Sequence, residues 1–145
     1  MLNLYDSPCL RLDYLPRLRL LEIAWRGAAQ PRDIREGFWQ ALEVAEQYQV
    51  QCWLHDLRGL PPVGPAEQHW LRQHWFPRYL LLKLHRVALV NSPDEHRRLS
   101  VEATVRLAAI DQHDYRPDTR YFDDAEQARA WIRAPHVTAL LPRLG

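Results

Sequence analysis

Asp56, Arg58 and Gly59 are the residues whose types and spacing are best suited to chemistry in this chain. They end a largely apolar run that begins at Val50, and such a run predicts a buried strand. An acid and an arginine two positions apart share a face of an extended chain, where they can form an ion pair or bind an anion. Ligands of α/β proteins meet the carboxyl ends of strands, so this position predicts a functional site. An ion pair that only fixes the following loop is the simpler alternative.

A second group of candidate residues lies on the helix predicted over 66–76. Trp70 and His74 are four positions apart and therefore share a helix face. Together with Trp75 they can line an aromatic pocket beside the proline-rich loop 60–65, and packing of a core under that loop is the competing interpretation. The residues predicted for ligand or partner binding are therefore Asp56, Arg58, Gly59, Trp70 and His74.

The sequence gives little support for catalysis, metal binding or nucleotide binding. His55 and Asp56 are neighbours on a strand, so their side chains point to opposite faces. His69 and His74 are five positions apart, whereas a helical zinc site needs histidines four apart. No phosphate-binding loop is formed by the glycines, which are Gly27, Gly37, Gly59, Gly64 and Gly145. We therefore expect no catalytic residue, no metal and no cofactor.

The composition is typical of one soluble intracellular domain spanning 1–145. A chain of 145 residues can bury a substantial core without metals or disulfides, and Cys9 and Cys52 are expected to be buried free thiols. With 19 basic and 18 acidic side chains, the charge gives no reason to expect nucleic-acid binding. The chain starts without a signal-peptide pattern, and no apolar stretch reaches the roughly eighteen residues that a membrane span needs. We expect a cytoplasmic protein without membrane insertion.

The order of the predicted elements indicates an α/β fold. Alternation of apolar and charged residues over 10–14, followed by an apolar run over 18–25, predicts an antiparallel hairpin. Further strands are predicted at 50–57, 87–90 and 119–122, and helices at 31–48, 66–76, 92–110 and 123–134. Alternation of this kind gives a mainly parallel sheet, here of about five strands including the N-terminal antiparallel hairpin, covered by about four helices.

Local signals set the expected ends of these helices. Ser92 with Glu95 and Asp123 with Glu126 fit capping boxes, so each pair predicts a helix start. Pro77 is expected to end or kink the second helix. The apolar tail 134–145 is predicted to dock on its own domain or on a partner subunit.

Three parts of the chain resemble one protein family. They are Trp53-Leu54-His55-Asp56-Leu57-Arg58 on the third strand, Trp70-Leu71 with Phe76-Pro77 on the second helix, and Phe122-Asp123 to Ala128 with Trp131-Ile132 near the end. Together they resemble the small bacterial STAS-like proteins, relatives of the anti-sigma-factor antagonists, over about 18–132. The resemblance implies a STAS-like fold and a regulatory or ligand-binding module without catalytic residues.

One property of the antagonists is not expected here. In those relatives, a serine at the start of the helix after the third strand is phosphorylated to break a complex with a kinase-like partner. The corresponding stretch 56–67 contains no serine or threonine, and none occurs between Ser7 and Ser92. Because no hydroxyl is present to carry a phosphoryl group, the resemblance does not imply this switch for the chain.

Three functional interpretations remain open. The first, which we favour because it requires no residue that the chain lacks, is a non-enzymatic STAS-like module that acts through protein contacts as a homodimer and exposes an apolar patch. The second is a small-molecule or lipid-binding domain with a pocket of roughly 300–1,000 Å³ between 57–65 and 70–76. The third is an enzyme with Asp56, Arg58 or His74 as acid or base, which only their position supports.

Overall fold

The computed structural model of the protein describes residues 1–110 and 117–135. Its centre is a six-stranded sheet in which the strands follow one another in chain order. The strands are β1 (Leu2–Asp6), β2 (Leu10–Leu15), β3 (Leu20–Trp25), β4 (Cys52–Asp56), β5 (Arg86–Val90) and β6 (Asp118–Phe122). The pairs β1/β2 and β2/β3 are antiparallel, and the remaining pairs are parallel. The predicted α/β fold with an antiparallel N-terminal hairpin is confirmed.

The strand β1 is the element that the sequence prediction of about five strands lacks. It pairs antiparallel with β2 at the edge of the sheet, and its register shifts between Asn3 and Tyr5. All five of its residues are exposed or only partly buried, so they show no alternation of buried and exposed positions. It is held by backbone hydrogen bonds to β2, and a pattern of hydrophobic side chains does not predict such bonds.

Five α-helices cover the sheet in the described ranges. They are α1 (Pro31–Tyr48), α2 (Pro65–Trp70), α3 (Phe76–Leu81), α4 (Glu95–Ile110) and α5 (Ala125–Arg133). A π-helical segment (Leu71–Trp75) joins α2 to α3, so the second predicted helix continues past Pro77 instead of ending there. Pro77 falls in the first turn of α3. Backbone N–H groups in the first turn of a helix have no partner within the helix, so a proline there costs no hydrogen bond. The wider π-helical turn before Pro77 allows the chain to continue as a helix.

The helix caps lie one or two positions after the predicted ones. Asp94 caps α4, because its Oδ1 accepts a hydrogen bond from the N–H of Arg97 at 2.9 Å, whereas Ser92 Oγ accepts one from the N–H of Asp94. Asp124 and not Asp123 caps α5, accepting from the N–H of Gln127 at 2.8 Å. Neighbouring residues that can all serve as caps leave the sequence pattern unable to choose among them.

Helices pack against both faces of the sheet. The larger buried cluster lies on the face covered by α1, the π-helical segment and α4, and the smaller one lies on the face covered by α5. Because both faces are covered, all residues of β5 are buried, as expected of a central parallel strand. Alternation along β4 places Trp53 and His55 on the α1 face and Cys52 and Leu54 on the α5 face.

The buried charges lie on the α5 face. Glu22 on β3 accepts two hydrogen bonds from the guanidinium of Arg129 on α5, both at 2.8 Å. Arg86 on β5 donates from Nη1 to the backbone oxygen of Ala134 at 2.7 Å and so caps the end of α5. The α1 face is therefore left to aromatic and aliphatic side chains.

Two expectations extend beyond what the structure describes. Of the tail predicted to dock, only Ala134 and Pro135 lie within the described residues, and both are exposed. Within those residues, no helix is long and apolar enough to cross a membrane.

Candidate functional site

The carboxyl end of β4 carries the ion pair that the sequence predicts. Asp56 Oδ1 accepts hydrogen bonds from the backbone N–H of Arg58 at 3.1 Å and from its Nε at 2.9 Å, and Oδ2 accepts from Nη2 at 2.7 Å. These hydrogen bonds raise the pKa of the Arg58 guanidinium above its ordinary value. The pair fixes the turn after β4 through side-chain and backbone bonds together. Anion binding by these residues stays a prediction.

Gly59 lies where the loop after β4 passes the end of β3. A Cβ atom added to this residue would lie 2.2 Å from the backbone oxygen of Trp25. Only a residue without a side chain allows this close approach of two backbones. Gly59 therefore holds the loop against the sheet, and its predicted role in binding stays a prediction.

Trp70 and His74 are not brought together with Asp56 and Arg58 by any contact in the described residues. Trp70 is half-buried, with the guanidinium of Arg35 over its ring at 5.7 Å, and His74 is exposed. The π-helical segment that follows Trp70 contains His74 and has a wider turn, so the four-residue spacing no longer places the two side chains on one face. Their role in binding stays a prediction, and it is the neighbouring Trp75 that is buried.

A cavity of about 290 Å³ lies on the α1 face of the sheet, beneath the loop after β4. Its walls include Trp53 and His55 from β4, Leu60 and Val63 from the loop, and Trp75 from the π-helical segment. Residues of α1, α3, α4, β5 and β6 also line it. The cavity lies where the second functional interpretation expects a pocket, and its volume is just below the usual range for ligand sites.

The lining of this cavity is aromatic and aliphatic. Among the described residues that line it, none is Asp, Glu, Lys or Arg, and apolar atoms form most of its exposed wall. The polar side-chain groups there are the ring nitrogens of His55, Trp53 and Trp75 and the hydroxyls of Tyr79, Thr104 and Thr119. Trp75 Nε1 already donates to the backbone oxygen of Phe38 at 2.7 Å. An apolar molecule is the occupant that such a wall favours.

His55 is the most unusual polar group of the cavity. Its side chain is buried, its Nε2 accepts a hydrogen bond from Trp25 Nε1 at 2.8 Å, and Trp53 Nε1 lies 3.4 Å from its Nδ1. Burial lowers the pKa of His55 to about 3, so the imidazole is neutral near pH 7. As the strand geometry predicts, His55 and Asp56 do not bond to each other among the described contacts.

Gly37 in the middle of α1 gives Trp25 the room that this arrangement needs. A Cβ atom on Gly37 would lie 2.2 Å from Cη2 of the Trp25 ring. The helix thus tolerates a glycine in its interior because the indole packs directly against its backbone. Gly37 thereby helps to fix the position from which Trp25 Nε1 reaches His55.

The sequence does not indicate that His55, Trp25 and Gly37 act together, and His55 stands out there only as the neighbour of Asp56. A partial signal is present, because Trp53 and His55 alternate onto one face of β4. The pairing of Ile23 with His55 then brings Trp25, two positions along β3, to the same face. This register across the parallel strands is available only once the sheet is known.

Other reactive groups lie away from the cavity. Cys9 and Cys52 are free thiols as predicted, but only Cys52 is buried, whereas Cys9 is partly exposed. Burial raises the pKa of Cys52, which lies on the α5 face. Within the described residues, no group of three or more histidine, cysteine or acidic side chains could hold a metal ion.

The SpoIIAA-like family model matches residues 20–133 of the chain. This span runs from the start of β3 to the end of α5, so it contains the parallel part of the sheet and the walls of the cavity. No curated protein and no solved structure matches the sequence. The resemblance to STAS-like proteins drawn from the sequence over about 18–132 is confirmed. Because the match covers most of its length, the chain belongs to the SpoIIAA-like family and is a STAS-like regulatory module.

Proposed function

We propose that this STAS-like module is non-enzymatic and binds a small apolar molecule in the cavity beside His55. The observation that carries the proposal is the cavity of about 290 Å³ with an uncharged, largely aromatic wall. Protein interiors are close-packed, with few voids larger than a water molecule. An engineered apolar cavity of about 150 Å³ already binds benzene, so a cavity nearly twice that size is large enough for a ligand.

The side chains around the cavity favour binding over catalysis. The acceptor nitrogen of His55 already bonds Trp25, so it is not available as a base. The hydroxyl of Thr104 donates to the backbone oxygen of Ser100 at 2.9 Å and lacks a base to activate it among the described contacts. Cys52 is on the other side of the sheet. Asp56 and Arg58, the candidates for acid and base chemistry, bond each other outside the cavity.

The protein-contact interpretation has weaker support than ligand binding. STAS-like domains mediate protein interactions, so a partner is expected. The large apolar side chains that are exposed in the described residues are Met1, Leu2, Leu81, Leu99 and Tyr121. They are distributed over the two opposite edges of the sheet, at β1 and β6, and over the helices α3 and α4. Assembly as a homodimer and the cytoplasmic location stay predictions.

The first experiment is native mass spectrometry of protein purified from gentle lysis, which reports subunit number and any retained small molecule together. We expect extra mass that is lost on denaturation, or else saturable binding of added toluene that raises the melting temperature. Toluene is an apolar probe small enough for the cavity.

A pair of variants locates this binding. Val105→Phe places a ring into the cavity wall, and Val44→Phe makes the same change on α1 at a partly buried position that does not line the cavity. Ligand and toluene binding should be lost in the first variant and kept in the second. Protein that retains nothing and ignores toluene, or binding that survives in Val105→Phe, would refute the proposal.

A further inference from the structure

The cluster of rings formed by Trp25, His55 and Trp53 beside the cavity holds more hydrogen-bond donors than acceptors. A neutral imidazole has one N–H and one acceptor nitrogen, whereas each indole has an N–H and no acceptor. Trp25, His55 and Trp53 therefore bring three N–H groups to a single acceptor nitrogen. Protonation of His55 would remove that acceptor and make the imbalance larger. Whichever ring nitrogen carries the proton, two N–H groups of this cluster have no acceptor within it.

The distances show which of the three donors is satisfied. The contact of 2.8 Å between Trp25 Nε1 and His55 Nε2 is a normal hydrogen bond, so Nε2 is the acceptor and the proton is on Nδ1. The N–H of Trp53 then faces the N–H of His55, with Nε1 and Nδ1 3.4 Å apart. This distance is long for a hydrogen bond, and two donors cannot bond each other. Trp53 is 1% and His55 5% exposed, so both rings are almost entirely buried.

We propose that the ligand of this cavity is a neutral molecule that places one oxygen acceptor against the N–H groups of His55 and Trp53. This inference rests on the proposed function, since both rings line the cavity that we assign to an apolar ligand. A carbonyl oxygen has two lone pairs and accepts from both donors. Ketones, aldehydes, esters and amides with an apolar body are the chemical class that fits.

A carboxylate fits this wall less well than a neutral oxygen. The described lining residues include no lysine or arginine, and burial of a charge without a partner is costly. Arg86 and Arg129 are engaged on the opposite face of the sheet by α5 and by Glu22. Burial lowers the pKa of His55 to about 3, so the imidazole is neutral at neutral pH and cannot serve as the counter-ion of a carboxylate.

Three molecules of nearly the same size and shape test the inference. Acetophenone carries a carbonyl oxygen, α-methylstyrene replaces that oxygen with a CH₂ group, and benzoate carries a charge. Each is titrated into the intact protein, with its affinity measured by calorimetry and the indole N–H signals followed by NMR. We expect acetophenone to bind about tenfold more tightly than α-methylstyrene, because a buried donor gains its missing partner. Benzoate should bind most weakly, and acetophenone alone should move the Trp53 N–H signal strongly downfield.

Variants test whether Trp53 causes this preference. Trp53→Phe removes the indole N–H, so the preference for acetophenone over α-methylstyrene should fall to about threefold or less. Trp131→Phe makes the same change on the α5 face and should keep the full preference. The NMR shift in the unaltered protein gives the same information if Trp53→Phe does not fold.

The possible outcomes separate the inference from the proposed function. Binding of acetophenone and α-methylstyrene with equal affinity would overturn the inference and leave the apolar site intact. Tighter binding of benzoate would overturn the claim of a neutral ligand. If none of these molecules nor toluene binds, the cavity is not a ligand site and both proposals fall.

Discussion

Gly37→Ala should destabilise this protein, although the same change usually stabilises a helix interior by about 0.5–1 kcal/mol. The new Cβ would lie 2.2 Å from Cη2 and 2.8 Å from Cζ3 of Trp25, far inside van der Waals contact. Overpacking of this kind costs about 1–3 kcal/mol. Displacement of the indole also weakens its 2.8 Å bond to His55, which adds about 0.5–1.5 kcal/mol. We expect a net loss of about 1–3 kcal/mol in the free energy of unfolding.

Chemical denaturation of the variant and of two matched proteins measures this effect. Gly27→Ala adds a methyl group where nothing lies within 4 Å, so it should change the free energy of unfolding by less than about 0.5 kcal/mol. In a Trp25→Phe background the smaller ring leaves room, so Gly37→Ala should cost much less there than in the natural sequence. Such coupling is what a double-mutant cycle detects. Stabilisation by Gly37→Ala, or an equal cost in both backgrounds, would refute the reasoning.

Two further predictions concern His55 and Gly59. Because the pKa of His55 is about 3 when folded, below its ordinary value near 6.5, its contribution to stability is complete above about pH 6.5 and is lost as the pH falls towards 3. Across this window the free energy of unfolding of the natural protein should fall by up to about 1.4 kcal/mol per pH unit more than that of His55→Phe. Denaturation of both proteins at several pH values measures this difference. The same pH dependence of stability in the two proteins would contradict the lowered pKa of His55. Gly59→Ala should cost about 1–3 kcal/mol, because its Cβ meets backbone atoms of Trp25 that cannot rotate away. Gly27→Ala is again the control, and an unchanged midpoint for Gly59→Ala would show that the loop moves freely.

The sequence predicts those parts of the fold that carry their own periodic pattern. The alternation around Leu12 and the helical spacing from Ile34 onwards depend on local burial, so the hairpin and α1 match the structure closely. The strand β1 is missed because it is an exposed edge without such a pattern. The π-helical segment is missed because a wider turn is not visible in the spacing of apolar residues.

The candidate site is less predictable because its parts are distant in sequence. The ion pair of Asp56 with Arg58 spans two positions and is therefore visible in the sequence. The contact of Trp25 with His55 spans 30 positions, and it depends on the parallel register of β3 and β4. Gly37 belongs to the same arrangement only because α1 crosses that face of the sheet. Contacts of this kind follow from topology and register and not from local preference.

The surplus of donors around His55 connects stability to the proposed function. Each buried N–H without an acceptor costs about 1–3 kcal/mol, and replacement by an apolar group of similar shape removes that cost. A phenylalanine ring at 53 would fill that part of the face without an indole N–H that needs an acceptor. The chain instead places Trp53 and His55 at the cavity wall, while Gly37 and Trp25 determine which imidazole nitrogen keeps its proton. A bound ligand that accepts hydrogen bonds from these N–H groups would remove the cost of leaving them unsatisfied. The free energy so gained would then contribute to ligand binding.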